Sequence, residues 1–201
     1  MARVLPGLHL QPTLIAAAGL FVMAMHLLNQ LMNIEAISLN EPEKGLFYNR
    51  HPRLMRAIGL TSYIASIVLA FLAGVWCGVF LLITGTAGLL YRAPMPGRIA
   101  RALRFRRLEQ ISGSKELFVS IAWTFVTALL PFLAQGFVYQ ELGFVATIAC
   151  ITFLLVFTRS VVLDMRDIEG DQVVGSETVP VTLGARKTRR LLVVVLVVLI
   201  L

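Results

Sequence analysis

Residues 57–91 read AIGLTSYIASIVLAFLAGVWCGVFLLITGTAGLLY, which is 35 positions without a charged side chain. As one α-helix this segment would be roughly 50 Å long at about 1.5 Å per residue, whereas the hydrocarbon core of a bilayer is about 30 Å thick. The segment is therefore predicted to cross a membrane twice, at approximately 57–73 and 75–91. We expect the turn between Ala73 and Gly78, where glycines permit a close reversal of the backbone.

The composition of the whole chain agrees with a membrane protein. Of its 201 residues 58% are hydrophobic and only 14% are charged, and the mean hydropathy is +0.82. Soluble domains carry about 25% charged residues, and disordered chains are still more polar. The composition therefore excludes a soluble globular domain and a disordered chain. The two cysteines lie inside apolar runs, so no disulfide framework or cysteine metal site is predicted.

Four more apolar runs flank this segment. They lie at approximately 13–36, 117–135, 141–160 and 190–201. Because a backbone in lipid must satisfy its own hydrogen bonds, we predict an all-α integral membrane bundle of about six spans, forming a single domain over residues 1–201. The last run stops in mid-pattern, so we expect the chain to be truncated there.

Basic residues gather in three connecting segments. All 18 Lys and Arg except Arg3 lie within 41–56, 92–115 and 159–190. Alternating spans place these segments on one face, which the positive-inside rule assigns to the cytoplasm. We therefore expect the inner or plasma membrane of a bacterial or archaeal cell. The basic stretch 98–107 is interpreted first as a helix on anionic membrane lipids and second as a phosphate site, and no nucleic acid partner is predicted.

Three carboxylates follow the fifth span at helical spacing. On a continuous helix Asp164, Asp167 and Asp171 would share one stripe. Their mutual repulsion beside a membrane calls for a cation, and Mg²⁺ binds one or two carboxylates together with substrate phosphates. The stripe is thus a candidate magnesium site. The alternative is a solvated loop that Arg159 and Arg166 neutralise.

A second polar group ends the first span. Asn29 and Asn33 lie one helical turn apart, and His26 precedes them by one turn. These amides are candidates for substrate binding. The alternative is hydrogen bonding between helices, a common role of Asn in membrane bundles.

Three segments carry a resemblance to a known family. They are LDMRDIEGDQVVGSETVPVTLG at 163–184, HLLNQLMNIEAISLNEP at 26–42, and LYRAPMP at 90–96 with Ser114 and Lys115 after it. In this order they resemble the second aspartate motif, the first motif and a Tyr-containing loop of the UbiA superfamily of membrane prenyltransferases, the 4-hydroxybenzoate polyprenyltransferase type. The resemblance implies that helices are absent at both ends of the chain.

The resemblance also implies a reaction. A polyprenyl group would pass from a prenyl diphosphate donor to an aromatic or other lipophilic acceptor, with Mg²⁺ as cofactor. Asp164, Asp167 and Asp171 would be catalytic and would hold the metal, and Tyr91 would be catalytic beside the reacting carbon. The residues implied in substrate binding are Asn29, Asn33, Arg98, Lys115 and Arg166.

The first motif departs from the family pattern. Asn33 and Ile37 stand where the family has aspartates, and an isoleucine cannot bind a metal. The alternative function is therefore a catalytically weakened protein that binds a prenyl or lipid ligand, or a subunit of a larger assembly. A transporter is a third hypothesis, because charged groups in bundles also mark ion paths. The oligomeric state is not predicted.

Overall fold

A computed structural model describes residues 11–91, 108, 111–136 and 142–200. These residues form helices and turns and contain no strand, which confirms the predicted all-α fold class. The helices are α1 (Pro12–Met32), α2 (Ile34–Asn40), α3 (Pro42–Arg50), α4 (Pro52–Ala73), α5 (Val75–Leu90), α6 (Ser114–Ala134), α7 (Leu142–Arg166), α8 (Ile168–Val174), α9 (Val179–Leu183) and α10 (Ala185–Ile200).

Four of these helices are long and apolar enough to cross a membrane, namely α1, α4, α6 and α7. The helices α5 and α10 are shorter, at 16 residues each. The long charge-free segment does divide in two, since α4 ends at Ala73 and α5 begins at Val75. The break at Gly74 lies inside the predicted turn.

The first helices pack closely. Helix α1 lies along α4, and α4 lies against α5. Gly78 and Gly85 of α5 face the rings of Phe71 and Tyr63, so closely that an added Cβ would overlap each ring. Small residues let membrane helices approach in this way. The buried core beside them consists of Leu14, Ala17, Phe21, Ala70, Cys77, Leu81, Val126 and Leu130.

Helix α6 contains a wide turn in its middle. Residues Phe125–Leu129 are π-helical, and α-helix resumes at Leu130. Pro131 has no N–H and its ring clashes with the carbonyl four residues earlier in a regular helix. A π turn at that carbonyl relieves the clash. The wide turn also faces α7, against which α6 packs.

The polar ends of the helices meet at one end of the bundle. The start of α6 is joined to the segment before α9 by the backbone N–H of Gly113, which donates to the Glu177 carbonyl at 2.9 Å. The hydroxyl oxygens of Ser112 and Thr182 are 2.6 Å apart. These bonds fix the first turn of α6 against the chain that follows the aspartates.

Candidate functional site

A buried ion pair joins α6 to α7. Nζ of Lys115 lies 2.6 Å from Oδ1 of Asp164, and the side chains are 29% and 6% exposed. The other carboxylate oxygen of Asp164 is buried and has no hydrogen-bond partner among the described residues. The carboxyl group of Glu116 is the neighbour of Asp164 on this side.

Asp171 lies in α8 on the same side. It is 3% exposed, and the hydroxyl of the buried Thr178 is its neighbour. Burial raises the pKa of Asp171 above its ordinary value, and the neighbouring charges of Asp164 and Asp167 add to this. The positive charge of Lys115 acts in the opposite direction. Lys115 thus lies among three buried carboxyl groups, those of Asp164, Asp171 and Glu116.

Asp167 is placed differently from the other two aspartates. The helix on which the stripe was expected is not continuous, because α7 ends at Arg166 and α8 begins at Ile168. The guanidinium of Arg166 donates to Asp167 at 2.9 Å and to Glu41 at 3.1 Å. Arg166 is exposed, and its guanidinium pairs with the carboxylates of Asp167 and Glu41 at the surface instead of entering the interior of the bundle.

The structure brings together part of the predicted magnesium site. Within the described residues no group of three or more His, Cys, Asp or Glu is close enough to hold a metal ion. Asp164 and Asp171 gather around Lys115, whereas Asp167 faces Arg166. The metal role of the three aspartates stays a prediction.

Sequence reasoning missed Glu116, which follows Lys115 on α6. Its side chain is completely buried, and Oε1 accepts a hydrogen bond from the backbone N–H of Val179 at 2.7 Å. Glu116 thereby anchors the start of α9 to the start of α6. The signal in the sequence was a carboxylate at the head of an apolar run, where burying a charge is unfavourable unless it has partners.

Tyr91 closes α5 beside the same helix start. Its hydroxyl lies 2.6 Å from Oγ of Ser114, and its ring stacks on Phe118 with centroids 4.6 Å apart. The ring is buried. Tyr91 thus lies against the first turn of α6, beside the residue that precedes Lys115.

A cavity of about 260 Å³ opens beside these groups, between α1 and α6. Its polar lining consists of His26, Asn29, Thr84, Tyr91, Lys115 and Arg159. Asn33 is not among the lining residues, because α1 ends at Met32 and the chain turns there. Arg98 lies outside the described residues. Arg159 is a second residue that sequence reasoning did not select.

The rest of this lining is apolar and continues along the bundle. A larger cavity of about 480 Å³ extends from Gln11 toward the middle of α1. Both cavities share Val22, Trp123 and Val126 as lining residues. A mostly apolar path therefore borders α1 along most of its length, with the charged groups at one end.

The two sequence motifs also meet at the polar end. Helix α2 packs on α8, and Gly170 lies so close to the Asn40 side chain that a Cβ would overlap the amide. Ile37, at an altered position of the first motif, is buried in α2. The first motif thus contributes the amide of Asn40, which contacts α8, and the buried apolar side chain of Ile37.

Comparison with known proteins supplies the family. Residues 2–201 match the UbiA prenyltransferase family. The chain belongs to this family. The predicted resemblance is thereby confirmed over nearly the whole sequence, and with it the expectation of a helical membrane protein.

The chain is also similar to curated archaeal proteins. It is 25% identical over 168 residues to a digeranylgeranylglyceryl phosphate synthase of Thermococcus kodakarensis, covering 80% of this chain and 52% of that protein. The enzyme of the same name from Methanothermobacter thermautotrophicus is 27% identical over 163 residues, covering 81% and 52%. The chain thus spans about half the length of these relatives. No solved structure shows significant similarity to it.

Proposed function

We propose that this UbiA family member transfers a prenyl group from a prenyl diphosphate to a lipophilic acceptor at the membrane. The observation that carries the proposal is the position of Lys115, which lines the polar end of a mostly apolar cavity and pairs there with Asp164. A prenyl diphosphate has the same division, with an anionic head and an apolar tail. The names of the archaeal relatives support geranylgeranyl as the group to test first.

The residues present suit a magnesium ion. Asp164 and Asp171 are buried carboxyl groups gathered around Lys115 at the polar end of the bundle. Mg²⁺ is usually bound by one or two carboxylates, with phosphate oxygens and water completing its shell. These two aspartates would hold it, with Asp167 as the third predicted ligand. When bound, the ion neutralises charge that develops on a departing diphosphate.

The side chains of the chain itself have separable roles in this proposal. Lys115 binds diphosphate oxygens through a charge-assisted hydrogen bond, for which its ammonium group has donors beyond the one used by Asp164. Asn29 offers an amide at the cavity wall. Tyr91 and Phe118 present aromatic surface and exclude water from a carbocation formed at the reacting carbon.

Orientation in the membrane belongs to the proposal as well. Lys115 and the aspartates belong to two of the three basic connecting segments, 92–115 and 159–190, and they meet at one end of the bundle. The positive-inside rule supports a cytoplasmic site. Prenyl diphosphates are charged and would enter from that side.

The altered first motif favours a second candidate function. Ile37 is buried and offers no ligand, and Asn33 ends α1 instead of presenting a carboxylate. A protein with one weakened metal site would bind a prenyl or lipid ligand without transferring it. Release of diphosphate distinguishes the two functions, because prenyl transfer releases it and ligand binding alone does not.

The test is a transfer assay with purified protein in lipid nanodiscs. Radiolabelled geranylgeranyl diphosphate and Mg²⁺ are incubated with geranylgeranylglyceryl phosphate or with 4-hydroxybenzoate, and the labelled lipid product and free diphosphate are quantified. Loss of one preorganised charge-stabilising group commonly lowers kcat by about 10²- to 10³-fold, so we expect such a loss in Asp164→Asn.

A matched substitution controls for the removal of negative charge. Glu169→Gln removes an exposed carboxylate from the same segment and should leave transfer unchanged. Absence of diphosphate release in the unsubstituted protein with both acceptors would reject transfer and favour the binding function. Unchanged transfer in Asp164→Asn would reject the assigned site.

A further inference from the structure

Arg159 is a charged residue within a membrane-spanning helix. It lies on α7 seven residues before the helix ends at Arg166, which is about 10 Å along the axis at roughly 1.5 Å per residue. The apolar residues before it belong to the same candidate span. Ionisable residues inside membrane spans are unfavourable unless they have a partner, and they commonly mark functional sites.

Arg159 has no anionic partner within the part of the chain that is described. It forms no hydrogen bond and no ion pair there, unlike Arg166 on the same helix, which engages Asp167 and Glu41. Arg159, which is exposed, lines the cavity together with His26 and Asn29 of α1. The surroundings of Arg159 in the cavity wall are therefore neutral or basic.

The other cation of the cavity is already compensated. Lys115 is paired with Asp164 at 2.6 Å and lies within electrostatic reach of Asp171 and Glu116. The excess positive charge along the described lining thus resides on Arg159. A planar guanidinium fork is well matched to two oxygens of a phosphate or carboxylate.

We propose that Arg159 binds an anionic oxygen group, phosphate or carboxylate, of a substrate held inside this cavity. The proposal rests on the proposed function for the identity of that substrate, whose anionic group belongs either to the donor or to the acceptor. Arg159 precedes Asp164 by five residues, or about 7.5 Å along the helix at roughly 1.5 Å per residue. The bound group lies on the membrane side of the Lys115–Asp164 pair.

Ligand binding can be measured without turnover. Trp123 lines the cavity, whereas the second tryptophan of the chain, Trp76, is exposed at the start of α5. In a Trp76→Phe background, Trp123 fluorescence reports on the cavity. The four ligands are geranylgeranyl diphosphate, the uncharged geranylgeraniol, geranylgeranylglyceryl phosphate and the uncharged geranylgeranylglycerol.

The variants are Arg159→Gln, Arg159→Lys and, as a control, Arg56→Gln. Arg56 is an exposed arginine at the start of α4 and does not line the cavity. We expect Arg159→Gln to weaken binding of at least one acidic ligand tenfold or more, because a charge-assisted hydrogen bond is lost. Binding of its uncharged counterpart should stay within twofold, and Arg159→Lys should be intermediate.

The pattern across ligands identifies the source of the anion. A loss confined to the diphosphate assigns Arg159 to the donor, and a loss confined to the glyceryl phosphate assigns it to the acceptor. Unchanged affinity for both acidic ligands, or an equal loss for acidic and uncharged ligands, overturns the proposal. If acidic ligands bind through Arg159 but no prenyl group is ever transferred, the anion site stands and the proposed reaction fails.

Discussion

The ammonium group of Lys115 at the head of α6 lies 2.6 Å from Oδ1 of Asp164 near the end of α7, 49 positions later in the chain. Each residue belongs to a different membrane-spanning helix. The pair therefore fixes the relative position of α6 and α7 at the polar end of the bundle. It also keeps a cation within reach of the cavity that borders α1.

Removal of Lys115 should destabilise the bundle. In Lys115→Met the Asp164 carboxylate stays buried without its cation, and breaking a buried pair typically costs about 3–5 kcal/mol. In the double variant Lys115→Met/Asp164→Asn we expect less destabilisation than the sum of the single effects, because no unpaired charge remains. Denaturant unfolding in detergent micelles measures all three. Strictly additive losses would show that the two groups do not stabilise each other.

Asp171 should make stability depend on pH. Its folded pKa is raised, so the native state binds a proton more tightly than the unfolded chain, and its contribution to stability falls as pH rises from about 4 through the raised pKa. Asp171→Asn cannot ionise and removes this dependence. We therefore expect the stability of the variant relative to the unsubstituted protein to increase with pH across this interval. Thermal unfolding at a series of pH values checks it, and a constant difference would contradict the burial of this carboxyl group.

The contact between α2 and α8 should be sensitive to one methyl group. In Gly170→Ala the new Cβ overlaps the Asn40 amide, so the Asn40 side chain must rotate away from α8. We expect a small loss of thermal stability, because the contact between the Asn40 amide and α8 is lost. In Gly143→Ala no atom lies within 4 Å of the added Cβ, so this helix substitution should be neutral or slightly stabilising. Equal behaviour of the two variants would argue against the close contact.

Glu116 should be replaceable by its amide but not by alanine. Glu116→Gln keeps an oxygen that accepts from the Val179 N–H, whereas Glu116→Ala leaves that half-buried N–H without this partner. An unsatisfied buried donor typically costs about 1–3 kcal/mol. We expect near-normal stability for the glutamine variant and clear destabilisation for alanine, measured by denaturant unfolding. Equal losses in both variants would indicate that the charge of Glu116 matters more than its hydrogen bond.

Much of the architecture followed from patterns that are local in the sequence. The charge-free segment 57–91 exceeds one bilayer crossing, and this alone required the division that the structure has at Gly74. The aspartates around the end of α7 and the tyrosine loop resemble those of the family, and the match over 2–201 confirms this resemblance. These features could be predicted because hydrophobic length and motif spacing do not depend on distant contacts.

The assembly of the site depended on contacts between distant segments. Helical periodicity placed Asp167 on a stripe with Asp164 and Asp171. The helix is interrupted at Asp167, however, and its carboxylate forms an ion pair with Arg166. The anchoring role of Glu116 and the position of Arg159 in the cavity wall arise from neighbours far away along the chain. The sequence by itself determined a multi-helix membrane bundle of this family, because lipid forces apolar helices of fixed length. Only the tertiary structure decided which charges are paired and which face the cavity, because electrostatic partners are set by how helices pack and not by their spacing.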